Sequence, residues 1–60
     1  MTKTYSFISR DMRRIIASVA IECGIEFKSD KVKESINIFG DAEKVQKAVE
    51  KIKIEYGISG

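Results

Sequence analysis

Residues 12–52, MRRIIASVAIECGIEFKSDKVKESINIFGDAEKVQKAVEKI, determine the fold, because four secondary-structure signals follow one another within them. An amphipathic helix pattern ends at Gly24, and two short alternating apolar segments follow at residues 25–29 and 32–39. A second amphipathic pattern begins after Gly40 and Asp41. Apolar residues at a period of 3.6 predict a helix, and alternation at a period of two predicts a strand. The stretch therefore predicts helix, strand, strand and helix.

The second helix is predicted over residues 42–56, because its sequence supplies a start, a buried stripe and a stop. Asp41 is the expected N-cap, since its carboxylate can accept a hydrogen bond from an amide of the first turn. Gly57 can adopt the left-handed conformation that ends a helix. The apolar stripe between these two residues consists of Val45, Ala48, Val49, Ile52 and Tyr56.

The first helix is expected to begin after Ser9, its candidate N-cap, and to end at Gly24. Its predicted buried stripe consists of Met12, Ile15, Ile16, Val19, Ala20 and Cys23. Ala17 and Ile21 fall on the opposite face, in the same part of the helix surface as Arg10 and Arg14. This pair is either an isolated exposed apolar feature, which is common on protein surfaces, or part of a contact surface.

A further strand is predicted upstream of the first helix. Tyr5 and Phe7 alternate with polar residues and are followed by Ile8, so residues 3–8 have the pattern of a strand. The two later strands are joined by Ser29-Asp30-Lys31, residue types that favour a turn. In the last strand Val32, Ile36 and Ile38 are predicted to share one face.

The stretch from residue 12 to residue 52 resembles the C-terminal two-thirds of a type I KH domain. The matching positions are the helix pair Ile16 and Val19, the glycine Gly24, the strand residues Ile25 and Phe27, a short variable loop at residues 29–33, the strand end Ile36, Ile38 and Gly40, and the last-helix residues Val45, Ala48 and Ile52. KH domains hold a nucleic-acid backbone with a G-x-x-G loop. The corresponding residues 9–14 contain no glycine, so the resemblance is to a degenerate KH-like domain.

The whole sequence predicts one α+β domain over residues 1–60, with the order β-α-β-β-α. We expect a two-layer sandwich in which a three-stranded sheet carries both helices on one face. Two arrangements fit this order. One is a truncated ferredoxin-like sheet with the third strand in the centre and the other two parallel at its sides, and the other is the KH-like sheet.

The composition argues against catalysis. The chain has no histidine and one cysteine, Cys23, so it lacks a His-based catalytic site, an ordinary metal site and an internal disulfide. A 60-residue domain has no volume to spare for an enclosed cofactor, and we expect none. No apolar run reaches the ~20 residues that a membrane span requires, and no signal peptide is evident. We therefore expect a non-catalytic cytoplasmic protein.

Positive charge is concentrated in the N-terminal half, although the net charge is only +2. If the first helix and the hairpin turn approach each other, six cations could frame one surface: Arg10, Arg13, Arg14, Lys28, Lys31 and Lys33. Such a patch would neutralise phosphates of single-stranded RNA or DNA. The alternative is that these residues only keep the protein soluble, since 33% of the chain is charged.

A protein-binding regulator, inhibitor or adaptor is the alternative function. The first strand has no charge after Lys3 and no proline, so as an edge strand it could pair with another chain. The expected interface residues are Tyr5, Phe7, Ala17 and Ile21. This edge also predicts a homodimer formed through the first strand.

Overall fold

The computed structural model describes residues 1–60, and its five elements follow the predicted order. The elements are β1 (Thr2–Tyr5), α1 (Arg10–Glu22), β2 (Glu26–Asp30), β3 (Ser35–Phe39) and α2 (Ala42–Tyr56). The α+β fold with the order β-α-β-β-α is thereby confirmed. Neither helix has the length and apolar character needed to cross a lipid bilayer.

The sheet has the order β1-β3-β2, with β3 in the centre. Both outer strands are antiparallel to β3, and Ile36 lies opposite Tyr5 on one side and Ser29 on the other. The outer strands are therefore parallel to each other, as the ferredoxin-like arrangement predicts. Because residues directly opposite share a face, these pairings also fix which side chains point towards the helices.

The core lies between one face of the sheet and the two helices. α1 packs over β2 and β3, and α2 packs over β1 and β3. The buried apolar residues are Tyr5, Ile16, Val19, Ala20, Ile25, Ile36, Ile38, Val45, Ala48, Ile52 and Ile58. The opposite face of the sheet carries no helix, and we call it the open face.

The helix ends follow the predicted chemistry. Ser9 Oγ accepts a hydrogen bond of 3.2 Å from the Met12 amide, and Asp41 Oδ2 accepts one of 3.4 Å from the Lys44 amide. Gly57 ends α2 with φ +68°, a left-handed conformation that glycine adopts without steric cost. The predicted bounds of α2 are confirmed to the residue. An ion pair of 2.6 Å between Lys51 Nζ and Glu22 Oε2 joins the two helices.

Two predicted strands were too long. β1 ends at Tyr5 instead of residue 8, because the chain turns at Phe7, where φ is +55°. β3 begins at Ser35 instead of residue 32, because Asp30 Oδ1 accepts hydrogen bonds from the amides of Val32 and Lys33 and closes a turn. Val32 therefore lies exposed in the turn and does not share the face of the core isoleucines.

Two residues of the predicted buried stripes are exposed. Met12 lies in the first turn of α1 and Tyr56 in the last turn of α2. A helical stripe is buried only where another element packs against it, and both residues lie at helix ends. Cys23 is half-buried and packs against the edge of the core.

Candidate nucleic-acid interface

A cleft of about 280 Å³ separates the start of α1 from the end of β2. Only residues 23–25 connect the two elements, so they run in opposite directions and the first turn of α1 lies beside the last residues of β2. The cleft is lined by Arg10, Arg13, Arg14, Ala17, Ser29 and Lys31. The first helix and the hairpin turn therefore approach each other, and four of the six predicted cations meet there.

Three of these cations carry charges that no carboxylate neutralises. The ion pairs of the structure are both made by Lys51, one with Glu22 and one with Glu55. Arg10, Arg14 and Lys31 are exposed and have no ion-pair partner. Exposed, unpaired cations along a cleft attract anions such as phosphates.

Arg13 differs from the other cations that line the cleft. It is only 9% exposed, and its Nη1 donates a hydrogen bond of 2.6 Å to the carbonyl oxygen of Ile8. This hydrogen bond ties α1 to the segment that connects it to β1, so the side chain does not extend into solvent. Arg13 still lines the cleft and adds positive charge to its wall, and a direct contact with a phosphate stays a prediction.

Lys28 and Lys33 lie apart from the cleft. Successive residues of a strand point to opposite faces of a sheet, so Ser29 faces the helices while Lys28 faces the open side. Lys28 and Lys33 instead line a hollow on the open face. The six predicted cations thus form two groups on opposite sides of the β2–β3 turn, not one surface.

The cleft also borders an unpaired strand edge. Met1 and Gly40 exchange both backbone hydrogen bonds across the first strand pair, and the alternation of an antiparallel sheet then directs Asn37 and Phe39 towards β2. The backbone groups of their partners, Lys28 and Glu26, form hydrogen bonds with β3. The backbone amides of Phe27 and Ser29 therefore point away from β3, towards the outer edge of the sheet.

Apolar side chains continue the cleft along α1. Ile21 lies one helical turn after Ala17 and is 68% exposed. Phe27 lies two residues before Ser29 on the helix side of β2 and is partly exposed. Exposed apolar surface on α1 and β2 therefore lies beyond the basic cleft, which itself has Ala17 as its one hydrophobic lining residue.

The second hollow, on the open face, has a volume of about 680 Å³. Its floor is polar, and Thr4 Oγ1 donates a hydrogen bond of 2.8 Å to Asn37 Oδ1 there. Phe7 and Val32 are its two hydrophobic lining residues, and they are 92% and 89% exposed. The sequence prediction missed the position of Val32, although the Asx-turn tendency of Asp30 was a usable signal for it.

The predicted protein-interface residues divide into buried and exposed ones. Tyr5 is only 1% exposed and belongs to the core, because its side chain lies on the face of β1 that the helices cover. Ala17 is half-buried and packs against the core, so it is not freely exposed. Phe7 and Ile21 are exposed and remain available for contacts.

No group of three or more His, Cys, Asp or Glu side chains lies close enough together to hold a metal ion. Comparison with family models, with curated proteins and with solved structures finds no match to this chain. The likeness to KH domains therefore rests on the sequence pattern alone.

Proposed function

We propose that this protein is a small non-catalytic module that binds single-stranded RNA or DNA in the cleft between α1 and β2. The observation that carries the proposal is the convergence of Arg10, Arg14 and Lys31 on one cleft without a carboxylate partner. Phosphates of a bound strand would lie against these three cations. Their neutralisation releases counter-ions, which favours binding at low salt.

The remainder of the cleft suits the bases of the strand. The outward amides of β2 can donate hydrogen bonds to base edges, and the exposed faces of Ile21 and Phe27 offer apolar and aromatic surface. Single-stranded sites generally combine a positive groove with surfaces on which bases stack. The proposal names single strands because their unpaired bases can reach the β2 amides and these side chains.

The test is the salt dependence of binding to a fluorescent oligonucleotide of about ten nucleotides, within the usual site sizes. The variant Arg10→Gln/Arg14→Gln removes two exposed cations and leaves the buried Arg13 in place. We expect weaker binding and a log–log salt slope reduced by about 1.4, from ~0.7 per phosphate contact on single strands. Lys47→Gln/Lys53→Gln is the matched control, because it removes the same charge from exposed positions of α2.

Two results would contradict the proposal. One is the absence of binding by the parent protein at low salt. The other is an equal reduction of the slope in both double variants, which would mean that the contribution comes from overall charge and not from the cleft.

Protein binding is the second candidate function, and the β1 edge favours it. By the alternation of the sheet, the amides of Thr2, Thr4 and Ser6 point away from β3. An unpaired and largely uncharged edge can accept a strand from a regulator's target or from a second copy of this chain. We propose a cytoplasmic location for either function, since a single cysteine provides no internal disulfide.

A further inference from the structure

Phe7 combines two energetically unfavourable features. Its side chain is 92% exposed, and its backbone has φ +55°, which is uncommon for a bulky residue other than glycine. The neighbouring backbone is firmly held: the Ile8 amide donates to the Glu34 carbonyl oxygen at 3.0 Å, and the Ile8 carbonyl oxygen accepts from Arg13. The aromatic ring is thus presented at the rim of the open-face hollow by an anchored segment.

The β2–β3 turn, residues 31–34, separates the cleft from this hollow. Lys31 lines the cleft on one side of the turn, while Lys33 and Lys28 line the hollow on the other. Two carboxylates, Asp30 and Glu34, also line the hollow. Asp30 Oδ1 accepts hydrogen bonds from the amides of Val32 and Lys33, whereas Glu34 is exposed. Cations are therefore available on both sides of a short turn.

We propose that a single strand bound in the α1–β2 cleft continues over the β2–β3 turn onto the open face. There Phe7 stacks against a base, and Lys28 and Lys33 contact phosphates. This inference rests on the proposed function and extends its site. The strand would cross the turn from Arg10, Arg14 and Lys31 on one side to Lys28 and Lys33 on the other.

The lining of the hollow fits a nucleic acid better than a protein. The centres of protein interfaces are depleted in charged residues and enriched in apolar or aromatic ones. Here the floor consists of hydroxyl, amide and charged groups, and the two hydrophobic side chains stand at the rim. Hydroxyl and amide groups such as those of Thr4 and Asn37 can pair with base edges, while one exposed aromatic ring can stack with any base.

The experiment compares fluorescent oligonucleotides of about four and about ten nucleotides, both within the usual site sizes, because the shorter one can occupy the cleft alone and the longer one reaches the open face. Phe7→Ala should weaken binding of the long oligonucleotide by roughly 5- to 150-fold, the range for loss of one base–aromatic stack. Binding of the short oligonucleotide should be unchanged. Ile54→Ala, which removes an equally exposed apolar side chain from α2, should affect neither.

A second variant, Lys28→Gln/Lys33→Gln, should reduce the salt slope for the long oligonucleotide only, by about 1.4. The extended path is overturned if the long oligonucleotide binds no more tightly than the short one, or if Phe7→Ala leaves its affinity unchanged. In that case the short oligonucleotide still binds and still responds to Arg10→Gln/Arg14→Gln, which separates failure of the extension from failure of the cleft. If Phe7→Ala alters only the sedimentation of the protein, the hollow is a protein contact and the inference is wrong.

Discussion

Tyr5 is buried, although the sequence predicts it as an interface residue. Its ring is enclosed in the core, and its hydroxyl is buried without a hydrogen-bond partner. Burial of the hydroxyl raises its pKa above the ordinary value of 10.0, because the charged phenolate is disfavoured in an apolar environment. The aromatic ring therefore stabilises the fold, whereas its oxygen opposes it.

Tyr5→Phe is accordingly expected to stabilise the protein. Removing a buried, unpaired hydroxyl should raise the free energy of unfolding by about 1–3 kcal/mol. Urea denaturation at neutral pH is the measurement, and Tyr56→Phe is the matched control because that ring lies exposed at the end of α2. A loss of stability in Tyr5→Phe would show that the hydroxyl has a partner, such as a bound water.

The same residue should make stability depend on alkaline pH. In the unfolded chain Tyr5 loses its proton near pH 10, while in the folded protein it holds the proton to higher pH. The unfolded state then binds fewer protons, so the free energy of unfolding falls as the pH rises above about 10. Lys51 titrates in this range too, its pKa being raised by the hydrogen bond and charge of Glu22. The difference between parent and Tyr5→Phe isolates the tyrosine, and a difference that stays constant from pH 8 to 11 would contradict this explanation.

At the scale of elements, α2 has one face in the core and one in solvent. Ile52 is fully buried, whereas Ile54, two residues later, is 79% exposed. Ile52→Ala should cost about 2–5 kcal/mol of unfolding free energy through lost burial and a cavity. Ile54→Ala should change it by no more than about 0.5 kcal/mol. Chemical denaturation of both variants is the test, and equal losses would mean that the helix is rotated from the orientation described here.

The elements differ in how well sequence reasoning located them. The bounds of α2 were predictable because Asp41 and Gly57 provide chemical signals at both ends. The ends of β1 and β3 were not, since apolar alternation continues through Phe7 and Val32 although the chain has already left the sheet. Alternation of apolar and polar residues predicts which face of a sheet each residue would occupy, but it does not predict where the strand ends.

The candidate site was predictable in part for a similar reason. The clustering of Arg10, Arg14 and Lys31 followed from element order, because a short connection brings the helix start beside the hairpin turn. The burial of Arg13 depends on the carbonyl oxygen of Ile8 and hence on the path of a loop. The separation of Lys28 from the cleft depends on strand register, which the sequence left open.

At the scale of the whole molecule, the two edges of the sheet have different electrostatic surroundings. The β2 edge carries three charged residues along the strand, Glu26, Lys28 and Asp30, and adjoins the basic cleft, and charged side chains protect a strand edge from pairing. The β1 edge has Lys3 as its one charged residue, and Lys3 Nζ donates a hydrogen bond to the carbonyl oxygen of Gly60. Self-association through β1 is therefore less opposed by charge than through β2.

We expect a homodimer in which β1 pairs antiparallel with its own copy, giving one continuous six-stranded sheet. A two-fold axis at Thr4 would align the outward amides of Thr2 and Ser6 with carbonyl groups of the second copy. Sedimentation velocity at tens of micromolar should show the dimer. Ser6→Pro should weaken it because proline removes one of these donors, whereas Ser6→Ala keeps the amide and should not. A parent protein that stays monomeric over this range, or a Ser6→Pro variant that dimerises as well as Ser6→Ala while retaining its circular dichroism, would rule out pairing through this edge.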